Sequence, residues 1–188
     1  MENSIVKLLK SGKTVFDTKD LSILWKISDK NTLKSKIYYL TKSEKIRKLH
    51  YGVYAVDSKY DKYELAGKLK HPSYVSMETV LRNEGCIFQY SEEIICVSNL
   101  NRNYICDGVK YSYRKIKDEV LYNKAGIFYF NYYSIASKER AFLDLIYLNK
   151  NYYFDNLNNI NWDECAKIVK IYNNKSLIKR LTEYKKLC

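Results

Sequence analysis

Proline occurs once in this chain of 188 residues, and glycine only six times. That scarcity excludes proline-rich or glycine-rich linkers and low-complexity tails, and no glycine-rich phosphate loop can be assembled from the glycines present. Histidine is nearly as scarce, with His50 and His71 alone. A catalytic triad built on histidine would have to join two distant loops. The five cysteines (Cys86, Cys96, Cys106, Cys165 and Cys188) are odd in number and form no C-x-x-C pair, which argues against a disulfide framework or a zinc ribbon. Reduced thiols in the cytoplasm are the expectation. No apolar run approaches the about 18 residues a membrane helix requires, and "MENSIVKLLKSG" lacks the apolar core of a signal peptide.

Acidic residues are in deficit too, 21 against 33 Lys and Arg, for a formal net charge of +12. Such an excess favours an anionic partner, nucleic acid or an acidic membrane surface. A coding bias competes as an explanation, because 27 lysines stand against six arginines in a chain rich in Asn, Ile and Tyr. Bias does not account for uneven placement. Residues 1–71 carry 16 basic and 8 acidic side chains, whereas residues 72–188 carry 17 and 13.

The first third of the chain has helical periodicity. "ENSIVKLLKSG" spaces Ile5, Leu8 and Leu9 for one helix face and ends on Gly12, a natural C-terminal cap. "TVFDTKDLSILWKI" opens extended at Val15-Phe16, offers Asp17 or Thr18 as a cap, and continues as a helix burying Leu21, Leu24 and Trp25. A third helix follows, with Ser28 as the expected N-cap and Asp29 at its positive end.

In that third helix Leu33, Ile37 and Leu40 define the buried stripe. At about 100° per residue, Asn31, Ser35, Tyr38 and Lys42 fall opposite it, with Lys34 and Tyr39 on the flanks. Lys36 points back toward the flank of the domain. "EKIRKLHYGVYAV" then changes period: two β-prone runs, Lys45–Leu49 and Val53–Val56, surround a turn at His50-Tyr51-Gly52. Three helices and a hairpin are the element order of a winged helix-turn-helix, whose third helix enters the major groove while its wing touches the backbone.

The remaining chain reads as a mixed α/β domain. "DSKYDKYELAGKLKHP" is a charged connector with a short helix, closed by Pro72. Ser76 is the expected cap of a helix that stops at Gly85, and the Asp107-Gly108 dipeptide joins two of three following strands in a tight hairpin. "GIFYFNYYSIA" reads as one further strand; its aromatics, like those of "KYSYRKI", could stack single-stranded bases, but alternating aromatics are ordinary sheet formers and the sheet core is the expectation. Ser137 starts a helix, Asn161 and Glu164 have capping-box spacing, and "SLIKRLTEYKKL" is a last amphipathic helix. The expected fold is α+β: residues 1–57 a winged helix-turn-helix, 58–72 a connector, and 73–188 an α/β domain with a mainly antiparallel sheet.

Between Lys30 and Leu49 there are seven basic residues and one acidic, on the two elements a winged helix presents to DNA. Lys34, Lys42, Lys45, Arg47 and Lys48 suit phosphates, and Lys30 stands near them at the helix start. Asn31, Ser35 and Tyr38 suit base edges. An enzyme has less to stand on: no cofactor motif and no metal cluster is visible, and no catalytic residue is assigned. Asp144 reads as a buried carboxylate paired with Lys138 or Arg140. A divalent-metal nuclease with scattered carboxylates, and a protein adaptor, are the alternatives.

Three stretches carry a family resemblance: "TVFDTKDLSILWKISDKNTLKSKIYYLTKSEKIRKLHYGVYAV", "YDKYELAGKLKHPSYVSMETVL" and "SIASKERAFLDLIYL". Together, over about residues 14–148, they resemble the AbiEi antitoxins of type IV toxin-antitoxin and abortive-infection systems. The resemblance implies a cytoplasmic repressor binding inverted repeats in its own promoter, and a C-terminal domain countering a nucleotidyltransferase-like toxin without a stable complex. It carries DNA contact onto Lys30, Asn31, Lys34, Ser35 and Tyr38 in the third helix, and onto Arg47, Lys48, His50 and Tyr51 in the wing. The family often has proline after the Ser/Thr of its A-[ST]-P-E-K motif, where this chain has Lys138. A solitary regulator without a toxin is the variant of this reading, and the oligomeric state is left open.

Overall fold

The computed structural model describes residues 4–186. The chain is α+β and divides into two compact units, with the boundary between Leu69 and Lys70.

The first unit begins with helix α1 (Ser4–Lys10), strand β1 (Val15–Asp17) and helix α2 (Thr18–Trp25). Asp17 caps α2 reciprocally: its carboxylate accepts from the Asp20 amide at 2.8 Å, and the Asp20 carboxylate accepts from the Asp17 amide at 3.1 Å. Lys26, in the left-handed region at φ 56°, ends α2. Helix α3 (Lys30–Lys42) is capped by Asp29 rather than by Ser28: the Asp29 carboxylate accepts from the Thr32 amide at 2.8 Å and its hydroxyl at 2.6 Å. A carboxylate there neutralises an orphan amide and the positive helix end together, which a hydroxyl cannot do. The Thr32 bonds hold the Asp29 carboxyl below its ordinary pKa.

Leu33, Ile37 and Leu40 of α3 are buried as the spacing requires, against Leu8, Phe16, Leu21, Trp25 and Ile46. Each such side chain contributes roughly 1.5–3 kcal/mol through burial. Leu9, by contrast, faces solvent. Strands β2 (Arg47–His50) and β3 (Val53–Ala55) form a hairpin, and β1 adds to it antiparallel, giving the order β1-β3-β2. The register shifts between Lys48 and His50, so one extra residue sits in β2 before the turn. Gly52, at φ 71°, supplies the left-handed turn position.

Helix α4 (Lys62–Leu69), expected in a connector, belongs to the first unit. Glu64 explains why: its buried carboxylate accepts from the Thr14 amide at 2.8 Å and the Thr14 hydroxyl at 2.6 Å. Burial raises its pKa against these bonds. Lys68 donates to Asp17 at 2.9 Å and also to Asp20, whose other oxygen accepts from Lys13 at 2.7 Å. The unit therefore extends past Asp57 to Leu69, and these bonds lie outside the reach of local sequence patterns.

The second unit is organised on a six-stranded mixed sheet. Its elements are β4 (Ser73–Val75), α5 (Met77–Asn83), β5 (Ile94–Ser98), β6 (Arg102–Cys106), β7 (Val109–Lys115), α6 (Asp118–Leu121), β8 (Ile127–Phe130), β9 (Tyr133–Ala136), α7 (Lys138–Leu148), α8 (Trp162–Ile168), a short 3-10 turn (Val169–Tyr172) and α9 (Lys175–Lys185). The strand order is β6-β7-β5-β4-β9-β8; β5 with β7 and β4 with β9 are parallel, and the other pairings antiparallel. The Asp107-Gly108 turn has both residues at positive φ, 48° and 76°. The expected single strand after Gly126 is instead the β8/β9 hairpin, because Asn131 and Tyr132 both take positive φ.

Arg140 and Asp144 lie at the centre of this unit, fully buried, one helical turn apart on α7. Asp144 accepts from Arg140 Nε at 3.2 Å, Ser76 Oγ at 2.8 Å, Tyr74 at 3.0 Å and Tyr172 at 2.7 Å. Arg140 also donates to the carbonyls of Val120 at 2.7 Å and Ala125 at 2.8 Å. Ser76 thus spends its hydroxyl on Asp144 and makes no side-chain cap on α5. Asn161 caps α8 as expected, but its own amide donates to Glu139 at 3.3 Å, so no reciprocal box forms with Glu164. The aromatics divide as well: Tyr111 and Tyr113 are buried, whereas Phe128, Tyr129 and Phe130 of edge strand β8 are exposed, contrary to the core expectation.

Candidate nucleic-acid interface

Burial of Leu33, Ile37 and Leu40 fixes which way α3 faces, and the opposite side is open to solvent. Lys30, Asn31, Lys34, Ser35, Tyr38 and Lys42 are all exposed, Tyr38 by 67%. Lys36 is half-buried, its ammonium 4.8 Å from the centre of the Trp25 ring. That contact with the Trp25 ring puts it on the flank and not on the open face, and burial and nearby Lys7 lower its pKa.

The hairpin supplies the second wall. Residues directly opposite in an antiparallel pair point to the same side, and Lys48 pairs with Tyr54 while Arg47 pairs with Ala55. Lys48 and Tyr54 accordingly share one face and Arg47 takes the other. A groove of about 370 Å³ brings Lys34, Tyr38 and Thr41 of α3 together with Lys48, Tyr51 and Tyr54 of the hairpin. Thr18 also lines it, its amide donating to the Gly52 carbonyl at 3.1 Å and so tying the start of α2 to the hairpin turn.

Electrostatics favour the same side. Asp17 and Asp20 are held by Lys13 and Lys68, Asp29 by a helix end, and Glu64 is buried. Among the described residues, Lys30, Lys34, Lys42, Lys45 and Lys48 have no carboxylate partner. Lys42 approaches the Tyr38 ring at 5.9 Å and Lys48 the Tyr51 ring at 5.8 Å, so each of these two tyrosines carries a cation beside it. Tyr51, at the turn of the hairpin, is 88% exposed.

The expected site residues are therefore only partly brought together. Lys34, Tyr38, Lys48 and Tyr51 share the groove; Lys30, Asn31, Ser35 and Lys42 lie on the same open helix but outside it. Lys45 precedes β2 instead of lying in a strand, Arg47 faces away from Lys48, and His50 is half-buried. Thr18, Thr41 and Tyr54 were missed. Tyr54 had a signal, its alternation within "GVYAV" two residues from the turn; Thr18 and Thr41 had none, since only the tertiary approach of α2 and α3 to the hairpin exposes them.

The described residues include no group of three His, Cys, Asp or Glu side chains placed to hold a metal ion. Among them, no helix is long and apolar enough to cross a membrane. No protein-family model matches this chain, and no curated protein matches it.

Proposed function

We propose that the first unit is a winged helix-turn-helix that binds double-stranded DNA, with α3 as recognition helix and the β2/β3 hairpin as wing. The observation that carries this reading is the single groove in which Lys34 and Tyr38 of α3 meet Lys48 and Tyr51 of the hairpin, the lysines free of carboxylate partners among the described residues. Duplex DNA presents closely spaced phosphates, which such cations neutralise with release of counterions. Lys30, Lys42 and Lys45 extend the basic surface along the backbone, and Asn31, Ser35 and Tyr38 reach for base edges, an amide such as Asn31 being suited to adenine.

The family resemblance gives this DNA-binding unit a role. The protein is proposed to be a cytoplasmic repressor of the AbiEi antitoxin type, acting on promoter inverted repeats, its second unit opposing a nucleotidyltransferase-like toxin without a stable complex. Asp144, whose oxygens are taken by Arg140, Tyr74, Ser76 and Tyr172, has a structural role in that unit and lends no support to the nuclease alternative.

Fluorescence anisotropy with a labelled duplex from the upstream promoter region tests the proposal. Binding that weakens steeply with salt, and is markedly weaker in a Lys34→Ala/Lys48→Ala variant, is the expected result. Absence of salt-sensitive binding, or unchanged affinity in that variant, would overturn it. A nucleotidyltransferase gene beside this one, with toxicity relieved by co-expression, separates the antitoxin from a solitary regulator.

A further inference from the structure

The second unit holds a different open site. The segment following α7 and the last helix, α9, border an open cleft of about 490 Å³ lined by Lys150, Asn151, Tyr152, Tyr153, Arg180, Glu183 and Tyr184. Its back wall is tied together by hydrogen bonds and ring contacts. The Tyr184 hydroxyl donates to the Tyr152 carbonyl at 2.6 Å and accepts from the Tyr152 amide at 3.1 Å. The Tyr184 ring packs edge-on against Phe154 at 5.3 Å and Phe142 at 5.6 Å, anchoring the wall to the core of α7.

Two cations of the cavity are left over by the protein's own bonding. Lys150 and Arg180 have no hydrogen-bond or carboxylate partner among the described residues, and Arg180 Nε is buried without an acceptor. A buried Nε–H without an acceptor carries a cost that an acceptor on a ligand would offset. Tyr153, 83% exposed, stands beside the two cations as a flat apolar face. Glu183 is on the same rim, its one ion pair among the described residues a long 4.0 Å contact with Lys179.

We infer that this cavity binds a nucleoside phosphate. Arg180 and Lys150 take the phosphate oxygens, Arg180 in the fork geometry that suits them. Tyr153 stacks on the base, as exposed aromatics beside cations do. Glu183 accepts hydrogen bonds from ribose hydroxyls or an exocyclic amine, and its charge disfavours a continuous polyanion running through the site. The volume lies within the roughly 300–1,000 Å³ of small-ligand pockets. This inference does not depend on the DNA-binding reading, since every residue it uses lies in the second unit.

Calorimetric titration of the full chain with each of ATP, GTP, CTP and UTP, beside tripolyphosphate and adenosine, tests it. At least one nucleotide should bind saturably with Kd below about 1 mM, tighter than tripolyphosphate or the bare nucleoside. Lys150→Ala and Arg180→Ala should each weaken binding about tenfold, and Tyr153→Ala several-fold. Lys34→Ala/Lys48→Ala should leave it unchanged. Lys150 and Tyr153 are exposed, so their variants keep the test valid if Arg180→Ala perturbs folding. No binding by any nucleotide, affinity unaltered in Lys150→Ala and Tyr153→Ala, or tripolyphosphate binding as tightly as the nucleotides would overturn the inference.

Discussion

Arg140 donates through Nε to Asp144 at 3.2 Å with both side chains fully buried, one helical turn apart on α7. Removing either charge alone strands the other in a medium of low polarity, which costs far more than losing the attraction itself. Arg140→Met is expected to destabilise the protein by about 3–5 kcal/mol in urea unfolding. Arg140→Met/Asp144→Leu should lose less than the sum of its two single variants, with a coupling of at least about 1 kcal/mol. Additive losses would show that the pair acts as two independent hydrogen-bonding groups.

Lys48 and Arg47 are neighbours in sequence but face opposite sides of the β2/β3 hairpin. If the groove face meets DNA, Lys48→Ala should lower affinity for the promoter duplex more than Arg47→Ala at the same salt concentration. The double variant Lys34→Ala/Lys48→Ala should reduce the slope of log K against log salt by about 2. Equal effects at Arg47 and Lys48 would point to binding by net charge alone.

The acid stability of the first unit should depend on Lys68. Burial pushes the Asp20 carboxyl up, but the hydrogen bonds from Lys13 and Lys68 outweigh it and hold the pKa below its ordinary 3.8. A depressed carboxylate contributes stability that is present above 3.8 and lost as the pH falls through the lower folded value. Lys68→Met should cost on the order of 1 kcal/mol at neutral pH, discounted for partial exposure, and flatten the decline below about pH 4 in thermal unfolding. A decline as steep as in the parent protein would assign the acid sensitivity elsewhere.

Gly126 has φ 69°, and a methyl group there would lie 2.9 Å from the Arg140 Cβ and 3.1 Å from the Ser137 hydroxyl. The Ile168 Cδ1, at 3.0 Å, is the movable end of its side chain, but the Arg140 Cβ is fixed to the helix backbone. Gly126→Ala should therefore cost more than about 1 kcal/mol, combining backbone strain with overpacking beside the buried arginine. Denaturant unfolding measures it, with Gly108→Ala as the comparison: that glycine has φ 76° but nothing within 4 Å of an added methyl.

Local spacing made several features readable. Leu33, Ile37 and Leu40 are separated by one and two helical turns, so any fold that buries one buries all three, and the open side of α3 follows. Ser137 as a cap and Asp107-Gly108 as a turn depend on bonds within four residues of themselves. The Arg140 pairing with Asp144 was readable as one of two options, because an i,i+4 spacing makes contact on any helix. The capping choice at Asp29 over Ser28 was not, since both residues satisfy the same pattern and differ only in the charge they bring to the helix end.

The sequence by itself determined an α+β chain whose basic excess is concentrated in the first third, on one helix face and the hairpin after it. It did so because amphipathic period, capping and turn chemistry act over a few residues. Tertiary structure alone decided that α4 belongs to the first unit, through the reach of Thr14 to Glu64 across 50 positions. It also decided that Lys48 and not Arg47 joins Lys34, because the extra residue in β2 and the pairing with β3 set which way each side chain points. Long-range register and packing are properties of the whole fold, and no local stretch encodes them.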